Sequence, residues 1–424
     1  MSLILEDREK RFYKVKQIIN EYNNSIILKA NIPGDEKTFK EVYLLLAFFN
    51  SYITKKLKTY KSEFYNSSDG PYFIYYNFNE SVNKLKKDFI NLEEEHPLGR
   101  FIDIDVYSKN KTLTRQKLSL SQRKCMLCDN EAWVCMKNMS HTVKELKAHI
   151  IDTTNSYFKK DLKQIIVQAF LTELNLHPKF GLVTPFSNGS HKDMSYKIML
   201  NSMNVIIPHL LSIYDVGYTT TNIKKGFDKI RKIGIEAEKA MYKNTKGINT
   251  YKGAIFLIGV MLYALGYYHQ TTNLSYQEII KTISKNILNE LDGRANTYGI
   301  YAYQQFKMYT IRHEVYYGIP TVYNTANYLS NYGSITNESL LMTLIYIIKE
   351  KKDTVALKRA GTMENYSIWI DKISSIKKYN VKQIEKISNE CIEGEMSFGG
   401  SADILIAAIF LHFITLKGYL LKFA

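Results

Sequence analysis

Apolar residues return every three to four positions in "REKRFYKVKQIINEY", where Phe12, Val15, Ile18, Ile19 and Tyr22 form one stripe, and that spacing predicts a helix. "SIILKANIPG" is a β-prone run stopped by Pro33-Gly34, and "KTFKEVYLLLAFFNSYITKKL" returns to helical spacing. The runs "GPYFIYYNFN" and "GRFIDIDVYS" are rich in aromatic and β-branched residues and bounded by Gly, Pro, Asn and Ser, as strands are. Beyond about residue 153 this strand pattern stops. Amphipathic segments follow at 155–175, 193–214, 223–243, 251–268, 275–291, 338–351, 364–376 and 402–422, joined by connectors rich in Gly, Asn and Thr. The pattern predicts a multidomain chain: an N-terminal α+β (or α/β) domain over 1–152, then an all-α helical domain over 153–424. The seam is expected near "HIIDTTNSYF" (149–158).

The two longest apolar runs, "GAIFLIGVMLYALG" (253–266) and "ILIAAIFLHFITL" (404–416), fall short of the ~18–20 residues that span a bilayer. They read as buried helices, so no membrane partner is expected. "MSLILEDREKRFYKV" has too few apolar residues before its charges for a secretory signal. Four cysteines, three of them clustered, argue against a disulfide scaffold, and the expected location is cytoplasmic. An excess of 57 Lys+Arg over 41 Asp+Glu gives net charge +16, which attracts polyanions: nucleic acid, an acidic protein or phosphorylated small molecules.

Against that charge, the paired acids in "HPLGRFIDIDV" need a reason. In a strand, Phe101, Asp103, Asp105 and Tyr107 share one face, and Ile102, Ile104 and Val106 the other. Two carboxylates roughly 7 Å apart along a strand can converge on a divalent cation such as Mg²⁺, as phosphoryl and nucleotidyl transferases require. The same alternation also fits a solvated acidic face. "HPLGR" adds a tight turn and Arg100, able to grip phosphate. Downstream, "CMLCDNEAWVCMKNMSH" spaces Cys125, Cys128, Cys135 and His141 as C-x2-C-x6-C-x5-H. Such a set can hold Zn²⁺ tetrahedrally, or be small buried thiols in a reduced protein.

"ANIPGDEK", "EEEHPLGRFIDIDVYS", "LSLSQRKCMLC" and the Cys and His that follow resemble the holo-citrate lyase synthases, the phosphoribosyl-dephospho-CoA transferases, over about residues 5–150. The resemblance implies a nucleotidyltransferase-type domain. Its reaction transfers a phosphoribosyl-dephospho-CoA group to a serine of the apo-citrate lyase acyl carrier protein (the γ subunit), releasing pyrophosphate. It also implies Asp103 and Asp105 as Mg²⁺ ligands, with Lys37 and Arg100 as triphosphate contacts.

In the helical half, "ELNLHPKFGLVTPFSNGSHKDMSY" (173–196) is a polar loop carrying Lys179, His191, Lys192 and Asp193. Gly181 and Gly189 would let backbone N–H groups approach an anion. In "FDKIRKIGIEAEKAMYKNTKGINTYKG" (227–253), Ile230, Ile233, Ala237 and Met241 form the apolar stripe. Glu238 falls beside that stripe and Glu236 faces away, while Lys246 and Lys252 are candidate phosphate donors. "RHEVYYGIP" (312–320) contributes Glu314, and "KKDTVALKRAG" (351–361) contributes Asp353 and Arg359. In "SFGGSADILI" (397–406), Ser401 reads as a helix N-cap with Asp403 in the first turn. Gly399, Gly400 and Ser401 there could seat an anion.

Taken together, "PKFGLV", "NGSHKDM", "IGIEAEKAM", "TKGINTYKGAIF", "GIP", "DT…RAG" and "GGSAD" are similar to the triphosphoribosyl-dephospho-CoA synthases over about residues 160–412. That family joins ATP to 3′-dephospho-CoA and expels adenine, and its product is the substrate of the first half. The chemistry asks for a carboxylate near oxocarbenium-like charge, an acid for the departing adenine, and a base for the attacking hydroxyl. Asp193, Glu238, Glu314, Asp353 and Asp403 are candidate carboxylates, the last two also for Mg²⁺, with His191 a candidate acid or base. Lys179, Lys192, Lys252 and Arg359 are candidate phosphate grips; the division of roles stays open. Departures from the family pattern fall at Phe180, Tyr251, His313, Val355, Ala360 and Phe398, which changes loop chemistry more than charge. The equivalent system for malonate decarboxylase shares both reactions. A basic nucleic-acid-binding protein with a zinc module explains the charge and cysteines but not the second-half array, so nucleic acid is not the expected partner.

Overall fold

"NSIILKA" carries apolar residues on both faces, as an internal strand does, and the computed structural model places it inside a sheet with both faces buried. Residues 3–109, 122–270, 274–294 and 297–421 are described. Contacts divide the chain into two units, Met1–Asp161 with Leu416–Ala424, and Leu162–Thr415.

Unit 1 holds a four-stranded antiparallel sheet in the order β2-β3-β1-β4, with β1 Asn24–Ala30, β2 Lys61–Tyr65, β3 Tyr72–Tyr76 and β4 Ile102–Ser108. Its helices are α1 Leu3–Tyr22, α2 Lys40–Lys56, α3 Val82–Glu95, the short α4 Ala132–Lys137 and the first part of α5 Val143–Leu174. Register sets Lys29 opposite both Tyr72 and Asp103, and Ile27 opposite both Ile74 and Asp105. On that face Val15 and Ile18 of α1 pack against Ile27, Tyr72 and Ile74. Phe12, expected in the same stripe, is instead 62% exposed, because the line that meets the sheet runs through Arg11, which lies over the Tyr72 ring, and then Val15 and Ile18. On the opposite face Ile26, Leu28, Tyr75, Ile104 and Val106 are buried; Tyr75 Oη donates to Asn50 of α2 at 2.7 Å.

The edge strand β4 is shielded by α3. Buried Lys86 donates to Ile104 O at 2.9 Å, and buried Glu93 accepts from Ile104 N at 2.8 Å. Those two bonds satisfy backbone groups that an open edge would leave for another chain. The expected face pairing holds for Asp103, Asp105 and Tyr107, which are partly exposed, against buried Ile102, Ile104 and Val106. Phe101 departs from it: it ends a 3-10 turn, Gly99–Phe101, and is buried.

Unit 2 is helical. It comprises α6 Tyr196–Thr219, α7 Ile223–Asn244, α8 Lys252–Tyr268, α9 Tyr276–Ile283 and α10 Tyr298–Phe306. Then come α11 Ile311–Tyr316, α12 Pro320–Ser330, α13 Asn337–Glu350 and α14 Thr354–Ala360. The last three are α15 Met363–Ser374, α16 Val381–Glu393 and α17 Gly399–Leu416. Helices apolar on every side belong in the middle of a bundle, and α8 and α17 bury most of their residues. α17 begins earlier than its apolar run, so Ser401 is its third residue rather than its N-cap. At 18 residues and mean hydropathy 1.7 it is long and apolar enough to cross a membrane, but 61% of it is buried. The expected shortfall in length is therefore corrected, while the reading as a buried helix rests on that burial.

Candidate functional site

In unit 1, Asp103 accepts a hydrogen bond from Arg123 at 2.5 Å, and Arg123 also reaches Glu93 at 2.8 Å. Asp105 lies 3.4 Å from the Lys86 ammonium. Burial, then the charge of Asp103, pushes the Asp105 carboxyl above its ordinary value. The pair thus sits together on one face under mutual repulsion, which a divalent cation relieves.

Next to them on the same face is a basic cluster that the linear sequence hides. Lys29, opposite Asp103 in register, pairs with buried Asp69, which also receives Arg11 at 2.5 Å and Arg8 at 2.9 Å. Against burial, these hydrogen bonds hold Asp69 down at about 2. Burial pushes Lys29 down to about 8. Three cations on one carboxylate leave positive charge in excess beside the aspartates. Lys37 stands nearby, feeling the Asp69 charge while it donates to Ile32 O at 2.5 Å. Arg100 is turned elsewhere: its guanidinium donates to Lys124 O, which braces the chain ahead of Cys125. Its expected role as a triphosphate contact is not what this geometry offers.

In unit 2, a cavity of about 360 Å³ opens among the starts of α8, α14 and α17. Lys179, His191, Glu238, Lys252, Asp353 and Asp403 all line it, as do Gly399, Gly400 and Ser401. The starts of α8 and α17 line this space, which sets their positive dipole ends beside it. Lys179 is buried and donates to Glu173 at 2.8 Å. Lys252 pairs with Glu238 at 2.8 Å, whereas Glu236 pairs with Lys239 on an exposed turn. Asp403 accepts from the Ala254 N–H; burial, then the charges of Asp353 and Glu173, pushes its carboxyl well above the ordinary range. Burial thus favours its uncharged form, the one that carries a proton. Gly253 is required beside it, since a Cβ there would lie 2.0 Å from Asp403 Oδ2. Tyr251 is buried in the same wall, and its hydroxyl has no hydrogen-bond partner among the described residues.

Other candidates turn out to build the fold. Asp353 caps α14 by accepting from Val355 N and Ala356 N, and takes Ser401 N and Ser401 Oγ on its other oxygen. With both oxygens doubly engaged it joins two helix starts and has no lone pair to offer a metal. Glu314 is buried, accepts from Thr321 and Val322 N at the start of α12, and fixes Lys351 at 3.0 Å. It reaches the cavity through Lys351, which lines it. Arg359 donates to Ser190 O, Glu395 O and His191 Nδ1, so it staples loops rather than gripping phosphate. Lys192 is 87% exposed and pairs with Glu395; Asp193 and Lys246 are exposed as well. A Cβ on Gly181 would lie 1.8 Å from Met396 O, so that glycine serves loop packing rather than anion approach. Sequence reasoning missed Glu173, Lys351 and Arg312, all in the cavity wall.

His191 has both nitrogens engaged, donating from Nε2 to Ser397 Oγ at 3.1 Å while Nδ1 accepts from Arg359. Burial, then Arg359, pushes it down to about 4. Its neutral form therefore stabilises the fold fully above pH ~6.5, and that contribution is lost as pH falls toward 4. The expected acid loss is on the order of 2 kcal/mol. Thermal unfolding from pH 7 to pH 4 should show a flatter slope in His191→Gln than in wild type, and equal slopes would exclude this residue as the source.

The sequence matches two families: apo-citrate lyase phosphoribosyl-dephospho-CoA transferase over residues 1–157, and ATP:dephospho-CoA triphosphoribosyl transferase over residues 159–419. It is 31% identical to Protein CitXG of Leuconostoc mesenteroides subsp. cremoris, covering 96% of each chain. It is 26% identical to Protein CitXG of Haemophilus influenzae, over 99% of this chain and 96% of that one. Identity is 28% to the 2-(5''-triphosphoribosyl)-3'-dephosphocoenzyme-A synthase of Haemophilus ducreyi, over 67% of this chain and 98% of that one.

Proposed function

This chain belongs to the CitX–CitG fusion family, and on that footing we propose that it both builds and attaches the prosthetic group of citrate lyase. Unit 2 joins ATP to 3′-dephospho-CoA with loss of adenine. Unit 1, a nucleotidyltransferase, moves the phosphoribosyl-dephospho-CoA group to a serine of the apo-carrier protein with loss of pyrophosphate. A cytoplasmic location suits both reactions, which draw on ATP and dephospho-CoA. The malonate decarboxylase system and nucleic-acid binding are not favoured by these family matches.

One observation carries the reading of the cavity: a buried carboxyl, Asp403, whose burial favours its uncharged form, and a lysine-paired carboxylate, Glu238, share it with Lys179, Lys252 and two long helix starts. The lysines and N–H groups hold the triphosphate by charge without attacking it. Asp403 hands its proton to the departing adenine, and Glu238 faces the charge that develops on the ribose or takes the proton of the attacking hydroxyl. Tyr251 Oη, buried and without a partner among the described residues, is a donor for the substrate.

In unit 1, Asp103 and Asp105 fit Mg²⁺: both are oxygen donors on one face, and their repulsion is what a divalent cation removes. Bound there, it would supply charge neutralisation for the triphosphate and the leaving pyrophosphate. The protein's own part is to hold Asp103 through Arg123 and to draw the triphosphate with Arg8, Arg11, Lys29 and Lys37. Asp353 does not fit a metal.

The decisive experiment incubates the protein with ATP, dephospho-CoA and Mg²⁺, separates free adenine by chromatography, then adds apo-carrier protein and weighs it. Adenine without a mass increase would confine activity to unit 2, and no adenine would overturn the reading of the cavity. Glu238→Gln should lower adenine release about 10²-fold, the scale for one acid–base or electrostatic group. Glu236→Gln, on the exposed turn, should stay near wild type. Equal small effects would remove Glu238 from the chemistry.

A further inference from the structure

Residues 122–142 bury almost nothing. Among them only Cys135 is buried, while Leu127, Trp133, Met136 and Met139 are exposed. A segment with so little apolar burial cannot hold a fixed shape by packing alone, yet here the backbone is well organised. Lys124 and Glu131 form an isolated antiparallel bridge, Cys125 N donates to Asn130 O at 2.7 Å, and Ala132 N donates to Arg123 O at 2.8 Å. This tight hairpin presents Cys125 and Cys128 at its tip. Cys135 comes from α4, and the chain turns back through the bond from Ser140 N to Cys135 O at 3.0 Å to present His141.

The four side chains converge. One ligand atom from each of Cys125, Cys128, Cys135 and His141 lies within 4.8 Å of all the others. Cys128 Sγ is 3.4 Å from Cys135 Sγ and 3.4 Å from His141 Nε2. Tetrahedral zinc with Zn–S near 2.3 Å sets its sulfurs about 3.8 Å apart, so the set needs only small adjustments to close on an ion. The three thiols are free rather than bridged, and Leu127 N donates to Cys125 Sγ at 3.5 Å, the contact that steadies a thiolate.

We propose that Cys125, Cys128, Cys135 and His141 bind one Zn²⁺ as a closed structural site, and that this site positions Arg123 on the aspartate pair. Three thiolates and one imidazole in tetrahedral array are the donor set zinc favours, with no position left open for substrate. Arg123 is two residues ahead of Cys125 and bridges Glu93 to Asp103, while Lys124 O takes the Arg100 guanidinium. Clamping the hairpin therefore fixes two arginines at the edge of β4. Arg123 is a positioning residue: it sets Asp103 in place. Its role rests on the proposed transfer reaction of unit 1; the zinc site itself does not.

Three measurements test this on the full chain. Protein purified without chelator should carry about one zinc by elemental analysis. Replacement by Co²⁺ should give the intense visible bands of tetrahedral thiolate coordination. Mercurial release of the zinc should lower carrier-protein loading more than tenfold and leave adenine release unchanged. Cys128→Ser and His141→Ala should each lower zinc content, and the Co²⁺ spectrum of wild type decides the question if these variants fold poorly. Absence of zinc after growth in zinc-supplemented medium, together with weak octahedral Co²⁺ bands, would overturn the site. Zinc that is present but whose removal leaves loading unchanged would overturn the positioning of Arg123, whatever the outcome of the adenine assay.

Discussion

Asp105→Asn should lower carrier-protein loading by about 10³-fold or more and leave adenine release at the wild-type level. Asp105 is the sharper of the two aspartates to change. Asp103 is the acceptor for Arg123, so its replacement also disturbs the link from Arg123 to Glu93. Asp105 has a weak partner, Lys86 at 3.4 Å, and its carboxyl is already pushed up by burial and by Asp103. The folded state disfavours its charge, so an uncharged side chain of the same shape should leave stability unchanged or slightly raised. Whatever activity is lost then reports on chemistry rather than on folding. Loading is read by the mass of the carrier protein, supplied with preformed triphosphoribosyl-dephospho-CoA so that unit 2 is bypassed. Loading within a few-fold of wild type would remove Asp105 from the site. Loss of adenine release as well, in folded protein, would deny that the two reactions use separate sites.

What could be read from the chain follows the range of the interactions involved. The strand "FIDIDV" is legible because one face is buried and the other is not, so polarity alternates. β2, "KSEFY", leaves no such trace: it is an edge strand with no buried residue, and nothing forces its side chains to sort. α16 is legible by the same rule: Ile384, Ile387, Ser388 and Cys391 share its buried face after an Asn380 N-cap. In the sites, Glu238 and Glu236 could be told apart because helix phase is local. Asp353 was read as a metal ligand, although an acid directly before a helix is as well explained as a cap, and here it caps two. Glu314 sits in a motif with cavity-lining Arg312, yet its side chain points into the fold and works through Lys351. The cluster of Arg8, Arg11, Lys29 and Asp69 comes from three distant segments, so no window of sequence contains it.

Asp403→Asn should lower adenine release by about 10³-fold, the upper part of the range for removal of a general acid. The side chain is nearly isosteric, which matters because Gly253 is in close contact with Asp403 and leaves no room for a larger group. Burial favours the uncharged carboxyl, and the amide matches that form in charge as well as shape. What it removes is the transferable proton. A leaving adenine that must depart unprotonated then faces the full barrier, while ATP and dephospho-CoA bind as before. The loss should therefore appear in kcat with KM little changed. The pH profile should change too: the limb on which wild-type activity falls as Asp403 ionises should disappear in the variant. Carrier loading from preformed triphosphoribosyl-dephospho-CoA should be untouched. A variant that still releases adenine at near wild-type rate would assign the proton to another group, and Tyr251, whose hydroxyl is buried in the same wall without a partner among the described residues, is then the residue to replace by phenylalanine. A rise in KM with kcat unchanged would instead make Asp403 a binding group, since only interactions stronger in the transition state raise the rate of the chemical step.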